Sequence, residues 1–174
     1  RRYGFMNKAL TSPISRSSIA LGKMSAISLI AALQASLIIG IALAIGVRFP
    51  NPIMIAPIMV IVILFSLGFS GISVMIAATA KSQETFWGMI NFLGMPLFML
   101  SPALFPLELL PNWLAVIAKL NPVTYTILLV RELMTGVSEG GIPILLSLGV
   151  LIAFVLVMIG LASYVFTREV NKPF

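Results

Sequence analysis

Apolar residues in this chain fall in long unbroken runs, without the polar interruptions that give a soluble helix or strand its solvent face. Four stretches stand out, at about 24–47, 53–80, 86–104 and 142–166, and none contains a charged side chain. Crossing a hydrocarbon core of ~30 Å takes about 20 helical residues, so each stretch is long enough to span a bilayer. The pattern therefore predicts an all-α membrane protein with four transmembrane helices, the third carrying Pro96 and Pro102. Between the third and fourth stretches, residues 105–141 are of mixed character. They hold Pro106, Pro111, Trp113, the pair Asn121-Pro122 and Tyr125, and end at Gly140-Gly141. Tryptophan and tyrosine favour the membrane interface, and Pro and Asn-Pro punctuate helices. Two short helices, interfacial or re-entrant, are expected here on the outer side.

Ahead of the first span, Tyr3, Met6 and Leu10 share one helical face while Arg2 and Lys8 lie elsewhere. Pro13 stops that helix, because the residue before a proline is pushed out of the α region. Residues 15–23 then form a polar lead-in. Residues 1–174 thus read as a single transmembrane domain, with 1–23 as a cytoplasmic appendage.

Composition sharpens this picture. Of the 174 residues 60% are hydrophobic and only 9% charged, against about 25% charged in soluble domains. A soluble enzyme is excluded. Cysteine and histidine are both absent, which removes disulfides, thiol nucleophiles, Cys/His zinc sites and histidine acid–base chemistry. The net charge of +6 is spread between apolar runs instead of clustered on one face, so it points to membrane topology and away from nucleic acid. Arg1, Arg2, Lys8, Arg16, Lys23, Lys81, Arg168 and Lys172 fall on one predicted side, and Arg48, Lys119 and Arg131 on the other. Cytoplasmic loops carry the excess of cations. A multi-pass protein of the cell membrane (inner or plasma) with both termini cytoplasmic is expected. The chain opens on Arg1-Arg2 without an initiator Met, and we expect it to derive from a longer polypeptide.

Chemistry-bearing residues are few. Ala20-Leu21-Gly22-Lys23 superficially matches the end of a phosphate-binding loop. That motif needs Gly-x-x-x-x-Gly-Lys-[Ser/Thr], and here Ser17 replaces the first glycine and Met24 the hydroxyl. Lys23 is better read as a snorkelling anchor at a helix end. The carboxylates Glu84, Glu108, Glu132, Glu139 and Glu169 all lie in loops or at span ends, whereas ion-coupled carriers place ionisable groups along an intramembrane pathway. Within the spans the notable polar groups are Gln34, Ser36 and Asn91. An unsatisfied amide in hydrocarbon costs several kcal/mol, so Gln34 must face protein or a wet cavity. An interhelical hydrogen bond is the plain role for Gln34 and Asn91; with Ser36 they are also the candidate translocation path. Ala32, Ser36, Gly40 and Ala44, and Ser66, Ser70, Ser73 and Ala77, form small-residue stripes of the kind that let membrane helices approach closely. Met89, Met95 and Met99 cluster in the third span as lipid-facing filler.

Two stretches together resemble a known family. Residues 96–114, Pro-Leu-Phe-Met-Leu-Ser-Pro-Ala-Leu-Phe-Pro-Leu-Glu-Leu-Leu-Pro-Asn-Trp-Leu, followed by Leu120-Asn121-Pro122-Val123-Thr124-Tyr125 and Arg131, are similar to the C-terminal signature of ABC type-2 transporter permeases. Gly4, Leu10-Thr11-Ser12-Pro13-Ile14-Ser15-Arg16 and Leu21-Gly22-Lys23 resemble that family's cytoplasmic coupling segment. Such permeases have six spans, so the resemblance implies that this chain corresponds to spans three to six. It further implies a coupling helix in which Arg2, Tyr3, Gly4, Lys8, Leu10, Pro13 and Arg16 face separate ATP-binding cassette ATPase subunits. A second permease copy, as homo- or heterodimer, would complete the path. ATP and Mg²⁺ would then sit on the partner ATPase, with no cofactor on this chain and no catalysis by it. Substrate would be exported past an outer re-entrant segment marked by Pro106, Pro111, Trp113, Asn121, Pro122 and Tyr125. The alternative is an ion-coupled carrier or channel without an ATPase partner, which calls for an intramembrane polar cluster beyond Gln34 and Asn91. A membrane enzyme needs a catalytic constellation, and the sequence offers none.

Overall fold

A computed structural model of the chain describes residues 15–47, 51–104, 106–137 and 141–170, with the backbone alone for Arg16, Glu108 and Val170. Among the expected coupling residues Arg2, Tyr3, Gly4, Lys8, Leu10 and Pro13 lie outside the described residues, and Arg16 opens the first helix. All regular elements among the described residues are helical. They are α1 (Arg16–Ala44), a 3₁₀ turn (Pro52–Met54), α2 (Ile55–Thr79), α3 (Gln83–Met99), a second 3₁₀ turn (Leu107–Leu109), α4 (Asn112–Leu120), α5 (Pro122–Thr135) and α6 (Ile144–Val170).

Helices α1, α2 and α6 run for 29, 25 and 27 residues, about 37–44 Å at ~1.5 Å per residue. These three are long and apolar enough to cross a membrane, and α4 with α5, bent by 90°, makes a fourth candidate if the pair acts as one broken span. Two boundaries differ from the sequence reading. The polar lead-in is helical from Arg16 onward, because the Ser15 hydroxyl caps the helix by accepting the Ser18 N–H at 3.3 Å. The third expected span is cut short: α3 has 17 residues, about 26 Å, and stops at Met99 instead of reaching residue 104. Pro102 explains the stop. It has no N–H to give the Phe98 carbonyl, and it disfavours helical geometry at Ser101. The Ser101 hydroxyl and N–H turn back onto that same carbonyl, at 2.6 and 3.2 Å.

Helices α2 and α6 form the axis of the bundle. At one end, Ala20 and Met24 of α1 pack with Val74 and Ala78 of α2 and with Ala162 and Phe166 of α6. The start of α1 and the end of α6 therefore lie together at one end of the bundle. Lys23 holds its ammonium 5.6 Å from the Phe166 ring centre at this end, a cation–π distance. Toward the opposite end α5 joins the axis, with Leu129 packed against Ile61, Leu151 and Val155.

The small residues that set helix spacing coincide only in part with the expected stripes, at Ala32 and Ser70. On α2 the closest approach belongs to Gly68 and Gly71. A Cβ at Gly71 would stand 3.0 Å from the Met158 carbonyl oxygen, and one at Gly68 only 2.7 Å from Cε1 of Phe154. Of the expected α2 positions, Ser70 is buried while Ala77 is exposed. On α1 the buried row is Ala20, Met24, Ser28 and Ala32; Ser36, Gly40 and Ala44 face outward. These are one row: a step of four residues overshoots the 3.6-residue turn, so the row drifts around the helix and its later members leave the packed face.

Candidate functional site

The described residues with the densest polar bonding sit at the 90° corner between α4 and α5. The corner follows from one residue, Pro122. In a continuing helix the Ala118 carbonyl would accept from residue 122, and proline has no N–H to give. The chain turns, and the Ala118 carbonyl instead accepts the Asn121 N–H at 3.1 Å and the Thr124 hydroxyl at 2.7 Å. The next carbonyl, of Lys119, has lost its helical donor as well, because the Val123 N–H goes to Oδ1 of Asn121 at 3.0 Å. The Tyr125 hydroxyl takes its place at 2.6 Å. Pro122 is at the first helical position of α5, where its missing N–H costs nothing, and Asn121 is the N-cap. Asn121 and Tyr125 thus answer backbone groups that the bend would leave unpaired, and Thr124 gives the Ala118 carbonyl a second donor; a polar group left unmet in a buried setting costs about 1–3 kcal/mol. Thr124 is fully buried and Asn121 is 5% exposed.

Asn121 has a second bond. Its Nδ2 donates to the Leu97 carbonyl on α3 at 2.6 Å, across 24 residues of chain. The orientation of the amide is fixed by its partners, since an N–H can only be met by the oxygen and a carbonyl only by the nitrogen. Leu97 is free to accept because its helical donor, the Ser101 N–H, is turned onto Phe98. The corner is thereby tied to the end of α3.

The rest of residues 106–137 surrounds this corner. Pro106 precedes the second 3₁₀ turn, whose Leu107 packs with Ala118 and Leu128, and Pro111 is the N-cap of α4. On α4, Trp113, Val116, Ile117 and Leu120 are all exposed and make one apolar face turned away from the protein. The expected path residues are not brought together. Gln34, Ser36 and Asn91 are all exposed, and the Ser36 hydroxyl is bonded to the Ala32 carbonyl of its own helix at 2.8 Å. Gln34 makes no interhelical hydrogen bond among the described residues, contrary to the plain expectation, because α1 packs through the row ending at Ala32. Asn91 borders an apolar groove of about 490 Å³ along α3 with Phe92, Met95, Pro96, Met99 and Leu100. A wider cleft of about 710 Å³ lies at the α2–α3 turn, lined by Ala77, Ala80, Lys81, Ser82, Gln83, Glu84 and Phe86. There the Glu84 carboxyl is held below the usual carboxylate range by a backbone N–H at the start of α3, with help from the Ser82 hydroxyl.

Comparison with known proteins places this arrangement. The family model for the ABC-2 type transporter matches residues 1–135. The chain belongs to the ABC-2 type transporter family. Relatives include a protein of Cyanophora paradoxa named "Putative transport permease ycf38", 31% identical over 76% of this chain and 46% of its own length. Proteins of the same name from Pyropia yezoensis and Porphyra purpurea are 30% identical over 79% of the chain and 28% identical over 95% of it. They are covered over 48% and 60% of their lengths, so the chain spans about half the length of the curated relatives it matches. No solved structure matches. Family and apolar helices together make the chain a multi-pass membrane protein.

In this ABC-2 chain the two halves of the sequence signature, around Pro96 to Ser101 and around Asn121 to Tyr125, meet through the bond from Asn121 to Leu97. Three participants were not singled out from sequence as site residues. Thr124 was visible in the Asn-Pro-x-[Ser/Thr]-Tyr pattern, and the hydroxyl common to Ser and Thr was the available signal. Ser101 was visible in the same way ahead of Pro102. The Leu97 carbonyl carried no signal, because any residue supplies one.

Proposed function

We propose that this chain is the permease part of an ATP-driven exporter, forming the translocation path for substrate and docking on separate ATP-binding cassette ATPase subunits. The observation that carries this reading is the family match over residues 1–135, which takes in both the N-terminal segment and the outer corner. In this reading residues 1–23 are the docking segment, with Arg2, Tyr3, Gly4, Lys8, Leu10, Pro13 and Arg16 toward the ATPase. ATP and Mg²⁺ belong to that partner, which does the hydrolysis. The location of Lys23, Lys81 and Arg168 at the bundle end where α1 begins and α6 finishes supports a cytoplasmic setting for both termini. A second permease copy completes the bundle. Gln34 and Asn91 support a path along α1 and α3, since an amide on a face the chain leaves uncovered needs a polar partner in the membrane. The uncharged spans favour an apolar or amphipathic cargo.

Leu10→Asp tests the docking assignment. Co-expressed with an ABC ATPase subunit from the same genome, the variant is expected to insert with unchanged helix content, to lose co-purification of the ATPase and to lose export. Unchanged co-purification and export would reject the docking role.

A further inference from the structure

We propose that Asn121 is a positioning residue that pins the loosely packed end of α3 to the anchored α4–α5 corner. The reading of the chain as a permease supplies only the use of that tie, holding the outer end of the path in register; the link itself stands on geometry.

Three observations carry it. First, α3 has no buried residue of its own, and Phe92, Met95, Phe98 and Met99 are all more than half exposed. Packing therefore leaves this helix free to shift against the bundle. Second, α5 is seated firmly, with Leu129 packed into the α2–α6 axis and Leu128 against Leu107 and Ala118. Third, among the described residues a side-chain hydrogen bond runs between α3 and the corner, from Nδ2 of Asn121 to the Leu97 carbonyl, 2.6 Å long and buried at its donor. It joins a loosely packed helix to an anchored one at the point where α4 turns into α5. Its acceptor lies one residue past Pro96, which has no N–H for the Phe92 carbonyl, so α3 can bend just before the tie. The tie therefore holds the end of α3 against a corner whose Ala118 and Lys119 carbonyls are braced in turn by Thr124 and Tyr125.

Asn121→Ser separates the tie from the cap. Serine is as good an N-cap as asparagine, so it keeps the Val123 N–H satisfied, but it is too short to reach Leu97 and has no amide. The protein has no cysteine, so spin labels can be placed at Phe98→Cys on α3 and Trp113→Cys on α4, both exposed sites. A control pair at Val60→Cys on α2 and Leu156→Cys on α6 is exposed too. With the full chain in liposomes, the Phe98–Trp113 separation should give one narrow peak with Asn121. In Asn121→Ser that peak should be lost in favour of a broad distribution reaching longer distances, while the Val60–Leu156 distances and the helix content stay the same. Asn121→Gln, which keeps the amide, should recover part of the narrow peak. An unchanged Phe98–Trp113 peak in Asn121→Ser overturns the proposal. So does equal broadening of both pairs, which would make Asn121 a general stabiliser of the fold. Neither result depends on the ATPase, so failure here leaves the permease reading intact.

Discussion

Glycine-to-alanine substitution at three positions separates helix propensity from helix contact. Gly40 on α1 has nothing within 4 Å of a built Cβ. Gly40→Ala should therefore show only the propensity gain of roughly 0.5–1 kcal/mol. At Gly71 the added methyl would sit 3.0, 3.1 and 3.3 Å from the carbonyl oxygen, Cβ and carbonyl carbon of Met158. Two of those atoms are backbone, so the relief must come from moving α6 relative to α2. Overpacking of this kind costs about 1–3 kcal/mol. After the propensity gain the net destabilisation should be about 1–2 kcal/mol, up to about a thirtyfold change in the folding equilibrium. At Gly68 the clash is nominally worse, 2.7 and 2.9 Å, but it is with the Phe154 ring. That ring is only half-buried and can swing aside, leaving Val155 Cγ2 at 3.3 Å to give a few tenths of an ångström. The expected net change there is within about 0.5 kcal/mol of zero. Reversible unfolding in mixed micelles, followed by helix content against denaturing detergent, ranks the three. The expected order of stability is Gly40→Ala, then Gly68→Ala, then Gly71→Ala. Gly71→Ala as stable as Gly40→Ala, or less damaging than Gly68→Ala, would refute the argument that backbone contact decides the cost.

Two further outcomes follow from the site. Thr124→Val removes a fully buried hydroxyl from the Ala118 carbonyl and should cost about 1–2 kcal/mol. Tyr125→Phe removes a more exposed bond to the Lys119 carbonyl, which water can replace, and should cost under about 1 kcal/mol; the same detergent unfolding series compares them, and equal losses would contradict the burial argument. At the start of α3, the lowered Glu84 carboxyl contributes order that is complete above the ordinary carboxylate range and is lost as pH falls through its lowered value. Protection factors at the first turn of α3, that is, exchange rates corrected for the intrinsic pH dependence of amide exchange, should fall on acidification in the native chain and stay level in Glu84→Gln. An unchanged acid response in Glu84→Gln would assign it to another group.

The parts of the fold that were legible in the sequence are those set by solvation. Uncharged apolar runs had to be membrane helices, and Asn121-Pro122 had to start a helix after a break. The family was legible for a related reason: bends need specific hydroxyls and amides, and those leave a recognisable pattern from Pro96 to Tyr125. What was not legible depends on which face meets which. The α1 stripe Ala32, Ser36, Gly40 and Ala44 continues the buried row Ala20, Met24, Ser28 and Ala32, and only the partner's position decides where along it the packing stops. The pairing of Asn121 with Leu97 was hidden because its acceptor is a backbone carbonyl. The early end of α3 was readable in Pro102, but the apolar run continuing to residue 104 outweighed it.

The most direct test of the account is the ATPase rate of a co-expressed ABC ATPase subunit in liposomes, measured with and without this chain. As a permease it should raise the rate several-fold, and Leu10→Asp should return it to the level of the ATPase alone. A rate indifferent to the chain, with both proteins folded in the same membrane, would contradict an ATP-driven role.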